Sequence, residues 1–179
     1  MNKNFGILFR ISGLPGSGKT ELSKLIHKDI NILFGPTVIW SGDDLRNILN
    51  NKKYTLRERN KFGIINVKLI KLINSQKINV IFATVGLKTA IRNYFKKHIP
   101  NYIEIVVKTQ LADLRKRGNR VFYSNGSKNV WGLDIKIEYP TNPDILIEND
   151  FKKNLNVLKK KLIKGLVNLK KLKLFKVKK

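Results

Sequence analysis

One octapeptide constrains the fold of this chain more than any other feature. Residues 13–20 read GLPGSGKT and match the pattern G-x-x-x-x-G-K-[ST] at every fixed position. The apolar run 6–11 precedes the octapeptide, and Leu22, Leu25 and Ile26 follow it with helical spacing. A glycine-rich loop between a strand and a helix is a common binding site for phosphate groups. Chance alone gives such a match in about one per cent of chains of this length.

The residue types in this loop suit the phosphates of ATP. Glycines let backbone N–H groups turn inward around the phosphates, and the helix that follows presents its positive end to them. We expect Lys19 to reach the outer phosphates and to be catalytic, and the Thr20 hydroxyl to coordinate Mg²⁺. The residues of this loop predicted to bind ATP are Gly13, Pro15, Gly16, Ser17, Gly18, Lys19 and Thr20.

Strand-like and helix-like segments alternate along the rest of the chain. Short apolar runs suited to buried parallel strands occur at residues 6–11, 37–40, 79–83, 102–107 and 144–147. The segments between them have the apolar spacing of amphipathic helices. This alternation predicts an α/β fold, a three-layer sandwich in which helices cover both faces of a five-stranded parallel sheet.

The same pattern predicts a single domain over residues 1–179. No repeat and no linker rich in proline or serine divides the chain. Polar or glycine-rich segments follow four of the predicted strands, at residues 13–20, 41–46, 84–89 and 109–120. Because ligands bind beyond the carboxyl ends of the strands in open α/β sheets, we expect these segments to meet at one edge.

Lysine dominates the net charge of +25, with 29 Lys against 8 Arg and 12 acidic residues. The accompanying 22 Ile and 20 Asn are what an A/T-rich coding sequence produces, and nucleic-acid readers rely more on arginine. Residues 151–179 hold 12 lysines, no acidic residue and leucines at helical spacing. They predict a basic amphipathic helix at about 151–170, with solvated lysines beyond Leu169. Attraction to an anionic partner is the alternative.

Two absences narrow the range of functions. The chain has no cysteine, which excludes disulfide bonds and thiolate chemistry. No apolar stretch approaches the ~20 residues that span a bilayer. Arg10 interrupts the first apolar run, which is not typical of a signal peptide. We therefore expect a cytoplasmic protein without a transmembrane segment.

Residues 41–46, SGDDLR, follow the second predicted strand and open a helix. A carboxylate at this point can hold Mg²⁺ or take the proton of an attacking hydroxyl group, and Arg46 can bind an anionic substrate. We predict Asp43 as the catalytic and metal-binding carboxylate, because it is nearer to the end of the strand. Asp44 is equally suited to N-cap the helix.

A basic cluster follows the fourth predicted strand. It contains Arg115, Arg117 and Arg120, and Lys128 comes after it. Basic residues in a flexible segment of this kind suit a lid that closes over phosphates. We predict a lid at about 110–140, in which Arg117 is catalytic and binds ATP together with Arg120. A solvated cluster of charges is the alternative.

The order of these motifs resembles that of adenylyl-sulfate kinases over about residues 5–150. That family follows its phosphate-binding loop with D-G-D-N-x-R, matched here by residues 41–46, and with aromatic-[ST]-x-x-[DE]-R, matched by residues 54–59. Its lid motif is similar to residues 117–134, and its P-x-N-P-D ending is similar to residues 140–148. The resemblance implies a P-loop kinase fold.

The resemblance also implies an activity, in which the γ-phosphate of ATP is transferred to the ribose 3′-hydroxyl of a small nucleotide, with adenylyl sulfate first among the candidates. In that family, the arginines that match Arg46 and Arg59 hold the phosphate and sulfate of this acceptor. The resemblance also implies that Tyr54 stacks on the base of the acceptor and that Lys128 contacts the anionic end of the acceptor. The position of Asp43 supplies the essential carboxylate. The sequence leaves the oligomeric state open, with a homodimer as one option.

Several positions on the acceptor side depart from the family pattern. Phe62 replaces an asparagine, Val130 replaces an aromatic residue that clamps adenine, and Trp131 is a candidate substitute for that ring. We keep all three among the predicted substrate-binding residues. Residues 84–87, TVGL, stand in place of F-I-S-P. These departures resemble a branch associated with surface polysaccharides, so a 3′-kinase for cytidine diphosphoramidate is the alternative.

A function of another class is also compatible with the composition. The chain would then be a basic protein that binds nucleic acid or a membrane surface, with a vestigial phosphate-binding loop. The complete set of Lys19, Thr20, Asp43 and Arg59 argues against such decay. We expect no specific nucleic-acid partner.

Overall fold

The computed structural model describes residues 1–51, 53–117, 123 and 129–175, with side chains as far as residue 171. Strands and helices alternate through them. In chain order the elements are β1 Leu8–Gly13, α1 Lys19–Phe34, β2 Thr37–Ser41, α2 Gly42–Ile48, α3 Leu56–Ser75, β3 Asn79–Thr84, α4 Thr89–His98, β4 Tyr102–Lys108, α5 Leu111–Lys116, β5 Ile145–Glu148 and α6 Leu155–Phe175.

The five strands form one parallel sheet in the order β2-β3-β1-β4-β5. This confirms the predicted fold. Every residue of β1 is buried, because β1 lies at the centre of the sheet between β3 and β4. β1 starts two residues later than predicted, since the Gly6 N–H donates to the Asn74 carbonyl (2.7 Å) and not to a neighbouring strand. The loop that follows β1 therefore lies in the middle of the carboxyl edge.

Alternate side chains of β1 enter two different cores, as the two-residue period of a strand requires. Phe9 and Ile11 pack with α1 and α6 on one face of the sheet. Leu8 packs with residues of α3 and α4, including Phe95, on the other face. The result is the expected arrangement of a sheet between two helical layers.

Helix α6 spans Leu155–Phe175, where the sequence predicted a basic amphipathic helix at about 151–170. Leu158, Leu162 and Leu166 are buried against α1 and β5. The prediction that the lysines beyond Leu169 are solvated is wrong for Lys170. Its ammonium group donates to the Leu33 carbonyl and lies 5.2 Å from the ring centroid of Phe34. A cation at the end of α1 complements the dipole of that helix.

None of the helices described here has the length and apolarity needed to cross a membrane.

Candidate active site

The loop between β1 and α1 is held from two sides. Gly16 and Gly18 have φ of 81° and 86°, a conformation that L side chains rarely adopt. The Asn149 amide donates to the Ser17 carbonyl (2.9 Å), and the Tyr123 hydroxyl donates to the Pro15 carbonyl (2.9 Å). Both partners come from segments more than a hundred residues away. The glycine-rich loop is therefore shaped by tertiary contacts as well as by its own sequence.

Helix α1 begins at Lys19 and places two predicted residues beside a large cavity. Lys19 and Thr20 border this main cavity of about 510 Å³, together with Pro15, Gly16 and Gly18. Lys19 is 9% exposed, and its ammonium group donates to the Leu14 carbonyl at 3.2 Å. Gly13 and Ser17 are buried behind the loop. The cavity thus starts at the amino end of a helix, where an anion is favoured.

Asp43 and Asp44 have different surroundings in the first turn of α2. Ser41 is the N-cap of this helix, and its hydroxyl accepts a hydrogen bond from the Asp44 N–H (3.2 Å). The Asp44 carboxylate accepts one from the Ser41 N–H (2.7 Å), which completes a capping box. Asp44 therefore has a structural role, at the third helical position and not as the N-cap. Asp43 is exposed and borders the main cavity.

The donor groups in the main cavity suit Mg²⁺ bound together with phosphates. Among the described residues, no group of three or more His, Cys, Asp or Glu side chains could hold a metal ion alone. Mg²⁺ commonly takes one or two protein ligands and completes its shell with phosphate oxygens and water. Thr20 and Asp43 supply an alcohol and a carboxylate, which are hard oxygen ligands of this kind.

Arg46 is held between two aromatic rings. Its guanidinium carbon lies 4.6 Å from the ring centroid of Tyr54 and 4.3 Å from that of Phe62. Its Nη1 donates to the carbonyl of Lys53 at 3.0 Å and to the side chain of Asn51 at 3.3 Å. Arg46 is 7% exposed, so its position is fixed before any substrate binds. Phe62, which replaces the family's asparagine, forms one side of this stack.

Arg59 connects α3 to the segment that returns from the predicted lid. Its Nε donates to the Tyr54 carbonyl at 2.7 Å, and its Nη2 donates to the Asn129 carbonyl at 2.8 Å. Its guanidinium also faces the rings of Tyr54 (5.3 Å) and Trp131 (5.6 Å). Burial, followed by the charge of Arg46, lowers the pKa of Arg59 from its usual range. Two neighbouring cations at one wall favour an anionic ligand.

Val130 and Trp131 are buried beside the main cavity, where the sequence predicted contacts with the substrate. The Asp134 carboxylate accepts hydrogen bonds from the backbone N–H groups of Asn129 and Val130, which fixes this turn. Trp131 is 3% exposed, and its indole N–H has no hydrogen-bond partner among the described residues. The role of Trp131 as a substitute for the missing aromatic ring stays a prediction.

Glu138 links the return segment to the amino end of α4. Its carboxylate accepts hydrogen bonds from the Lys88 ammonium (2.8 Å) and the Thr89 N–H (2.7 Å), and its own N–H donates to the Leu87 carbonyl (3.1 Å). The bond from Lys88, followed by those from Thr89, lowers the pKa of Glu138 to about 2. Within residues 84–89, Thr84, Val85, Gly86 and Lys88 border the main cavity.

A second cavity of about 420 Å³ lies beside Gly16 and Gly18 of the loop. Arg117 borders it, and its guanidinium carbon is 4.2 Å from the ring centroid of Phe151. Asn149 and Phe151 line this cavity too, and the sequence analysis did not single them out. Both residues follow β5, and the sequence analysis named no polar or glycine-rich segment after that strand.

Two predicted residues, Arg120 and Lys128, lie outside the described part of the chain. Their roles in binding ATP and the acceptor stay predictions.

The fold and the glycine-rich loop are those of the P-loop class of proteins, which bind nucleoside triphosphates. The sequence profile of the adenylylsulphate kinase family matches residues 5–148. Because this match covers most of the chain, the protein belongs to the adenylylsulphate kinase family.

Two relatives show the range of activities near this sequence. The chain is 29% identical to the cytidine diphosphoramidate kinase of Campylobacter jejuni over 168 residues, which cover 92% of this chain and 98% of that protein. It is 27% identical to a probable adenylyl-sulfate kinase of Archaeoglobus fulgidus over 145 residues, 78% of this chain and 94% of the other. Both relatives are nucleotide kinases.

Solved structures share the fold at lower identity. The APS kinase of Mycobacterium tuberculosis in complex with AMPPNP and APS has a TM-score of 0.79 at 20% identity, over 90% of this chain and 98% of the other. A gluconokinase from Sinorhizobium meliloti has a TM-score of 0.63 at 13% identity, over 98% and 99%. The fold therefore extends beyond kinases that act on nucleotides.

Proposed function

We propose that this protein transfers the γ-phosphate of ATP to the ribose 3′-hydroxyl of a cytidine nucleotide of the diphosphoramidate type. One observation supports the reaction above all others: the residues expected for the donor, the proton and the anionic acceptor border a single cavity. They are Lys19, Thr20, Asp43, Arg46 and Arg59.

The choice of acceptor rests on the acceptor side of the site. The sequence expectation ranked adenylyl sulfate first. Similarity over nearly the full length to a cytidine diphosphoramidate kinase supports the other order. The replacement of an adenine-clamping aromatic residue by Val130 supports it as well, because a stacking ring contributes roughly 1–3 kcal/mol per base. Adenylyl sulfate is the second candidate, favoured by the family profile.

In the proposed reaction the 3′-hydroxyl oxygen attacks the γ-phosphorus, and the bond from that phosphorus to the β–γ bridging oxygen breaks. Lys19 neutralises charge on the outer phosphates. Asp43 orients the hydroxyl group and accepts its proton. Arg46 and Arg59 hold the anionic groups of the acceptor, so that both reactants are fixed in one cavity. Thr20 and Asp43 would hold Mg²⁺, which would neutralise further charge on the phosphates.

We place the base of ATP in the second cavity. Arg117 lies over the ring of Phe151 there, and a purine can stack on either planar group. The donor and the acceptor then approach the glycine-rich loop from separate cavities. This arrangement keeps the two nucleotides apart except at the phosphate that moves.

A panel of acceptors tests the proposal. The protein is incubated with Mg²⁺, ATP and either cytidine diphosphoramidate or adenylyl sulfate, and the product is analysed by mass spectrometry for a phosphate on the ribose. We expect transfer to the cytidine nucleotide and little to adenylyl sulfate. The Lys19→Ala variant should fold but transfer nothing. Equal turnover by this variant would contradict the assignment of the site.

A further inference from the structure

A charged side chain occupies a position where an apolar core is expected. Arg10 lies in β1, the central strand, and its side chain is 0% exposed. Burial of a guanidinium group costs free energy unless its charge and its N–H groups are paired. The contacts of Arg10 therefore decide whether the residue is only structural.

The charge of Arg10 is incompletely balanced. Glu104, its neighbour on β4, has Oε1 at 3.6 Å from the Arg10 Nη1. The same carboxylate lies 3.4 Å from the Arg92 Nε and 2.9 Å from the Lys96 ammonium group. Arg10 and Arg92 are both buried. One buried carboxylate thus serves two buried cations and one partly exposed cation.

The N–H groups of Arg10 are also incompletely paired. Its Nη2 donates to the Gly86 carbonyl, and its guanidinium carbon lies 5.2 Å from the ring centroid of Phe95. Nε and Nη1 have no hydrogen-bond partner among the described residues. A guanidinium group has five N–H donors and no acceptor. Arg10 therefore retains capacity to donate to a ligand.

Arg10 borders the main cavity, together with Gly63, Asn66, Phe82, Ile91 and Phe95. The Asn66 side chain already bonds the Trp40 indole N–H (3.2 Å) and a backbone carbonyl of α3. Among these six residues, Arg10 is the charged group, and its Nε and Nη1 have no hydrogen-bond partner in the described part of the chain.

Gly86 provides the room for this arrangement. A Cβ atom at position 86 would lie 2.2 Å from the Arg10 Nη2, so the guanidinium group of Arg10 would have to move. Gly86 belongs to the TVGL segment that distinguishes this chain from the family pattern. Arg10 and Gly86 thus form one unit in the wall of the acceptor cavity.

We infer that Arg10 is a specificity-determining residue of the acceptor site and selects cytosine. This inference rests on the proposed nucleotide kinase. Cytosine presents two adjacent hydrogen-bond acceptors, O2 and N3, to the donor-only guanidinium group. Uracil places an N–H at the position of cytosine N3, where it would face the N–H donors of Arg10, and adenine has a C–H where cytosine has O2. Either base would leave a buried N–H group of Arg10 unpaired.

Three matched nucleotides test the inference with the full chain. CMP, UMP and AMP are used as acceptors with radiolabelled ATP, and their binding is measured separately by equilibrium dialysis. We expect CMP to be preferred over UMP and AMP by about tenfold or more. Arg10→Met should lower kcat/KM for CMP about 10- to 100-fold, mainly through KM, and remove the preference. Arg10→Lys, which keeps the charge but not the planar group, should also lose the preference.

Arg92→Met is the matched control, because Arg92 contacts Glu104 but does not border the cavity. It should keep the preference for CMP, and the KM for ATP should be unchanged in all variants. Equal use of CMP and UMP by the wild type overturns the inference, as does an Arg10→Met variant that keeps the preference. A loss of preference in Arg92→Met overturns it as well. If none of the three nucleotides receives phosphate, the dialysis measurement decides, and equal binding of CMP and UMP by the wild type overturns the inference. The kinase reaction itself is tested separately, with cytidine diphosphoramidate as acceptor.

Discussion

The side-chain amide of Asn149 holds the carbonyl of Ser17 at 2.9 Å, across 132 residues of sequence. The Asn149 Oδ1 in turn accepts a hydrogen bond from the Phe151 N–H at 3.0 Å, which fixes the orientation of the amide. The segment after β5 therefore supports the glycine-rich loop and carries the ring of the second cavity. One side chain couples the shape of the loop to the expected position of the ATP base.

Asn149→Ala should raise the KM for ATP about tenfold and lower the free energy of unfolding by about 1–3 kcal/mol. The reason is that a buried carbonyl of the loop loses its donor. ATP kinetics and denaturant unfolding measure the two effects. Asn168→Ala, at an exposed position of α6, is the control. A KM for ATP equal to that of the control would show that the loop keeps its shape without Asn149.

The two aspartates of α2 should respond to substitution in opposite ways. Asp43→Asn should lower kcat about 10²- to 10⁴-fold with little change in stability, because the carboxylate acts in the reaction. Asp44→Ala should leave kcat nearly unchanged and cost about 0.5–2 kcal/mol, because it removes half of the capping box with Ser41. Steady-state kinetics and thermal unfolding separate the two. The reverse pattern would show that Asp44 is the reacting carboxylate.

The contact of Glu138 with Lys88 and Thr89 should make the stability of the protein depend on pH in the acid range. Its pKa is lowered from 4.5 to about 2, mainly by the bond from Lys88, so its stabilising contribution is complete above about pH 4.5. The contribution is lost as the pH falls from there through about 2. The difference in stability between wild type and Glu138→Gln should therefore be constant at neutral pH and shrink below about pH 4.5. Urea unfolding at a series of pH values measures it, and a difference that grows on acidification would contradict the assignment.

Truncation of the basic tail should separate structure from binding. Removal of the residues after Lys171 should leave kinase kinetics unchanged, whereas removal from Lys170 onward should lower stability, since the contact with Leu33 is lost. We expect the full chain to bind DNA or anionic vesicles only weakly and in a salt-sensitive way. Binding that persists at physiological salt and disappears on truncation would indicate a partner for the tail.

The local features of the site were predictable from the sequence. The loop 13–20 depends on glycine conformations and on the helix that follows, and both are encoded within a few residues. The position of Asp43 at the cavity also follows from the strand and helix on either side of it. The parallel sheet between two helical layers also follows from the alternation of strands and helices, whereas the order of the strands was not predicted.

The long-range contacts were not predictable in this way. Arg59 reaches the Asn129 carbonyl, and Asn149 reaches Ser17, through tertiary packing that no local pattern encodes. Arg10 read as an interruption of an apolar run, because nothing near it in sequence reveals Glu104. The sequence predicts a solvated Lys170 for the same reason, because its partner, the Leu33 carbonyl, lies 137 residues earlier.

The packing of α6 on α1 has a consequence for synthesis of the chain. Leu22 and Ile26, just after the glycine-rich loop, share one core cluster with Leu158 and Leu162. On the ribosome, the part of the apolar face of α1 that packs on α6 stays uncovered until α6 has emerged. Contacts of such sequence separation slow folding and leave an aggregation-prone surface on the nascent chain. The ATP site is therefore among the first parts to be translated and among the last to be completed.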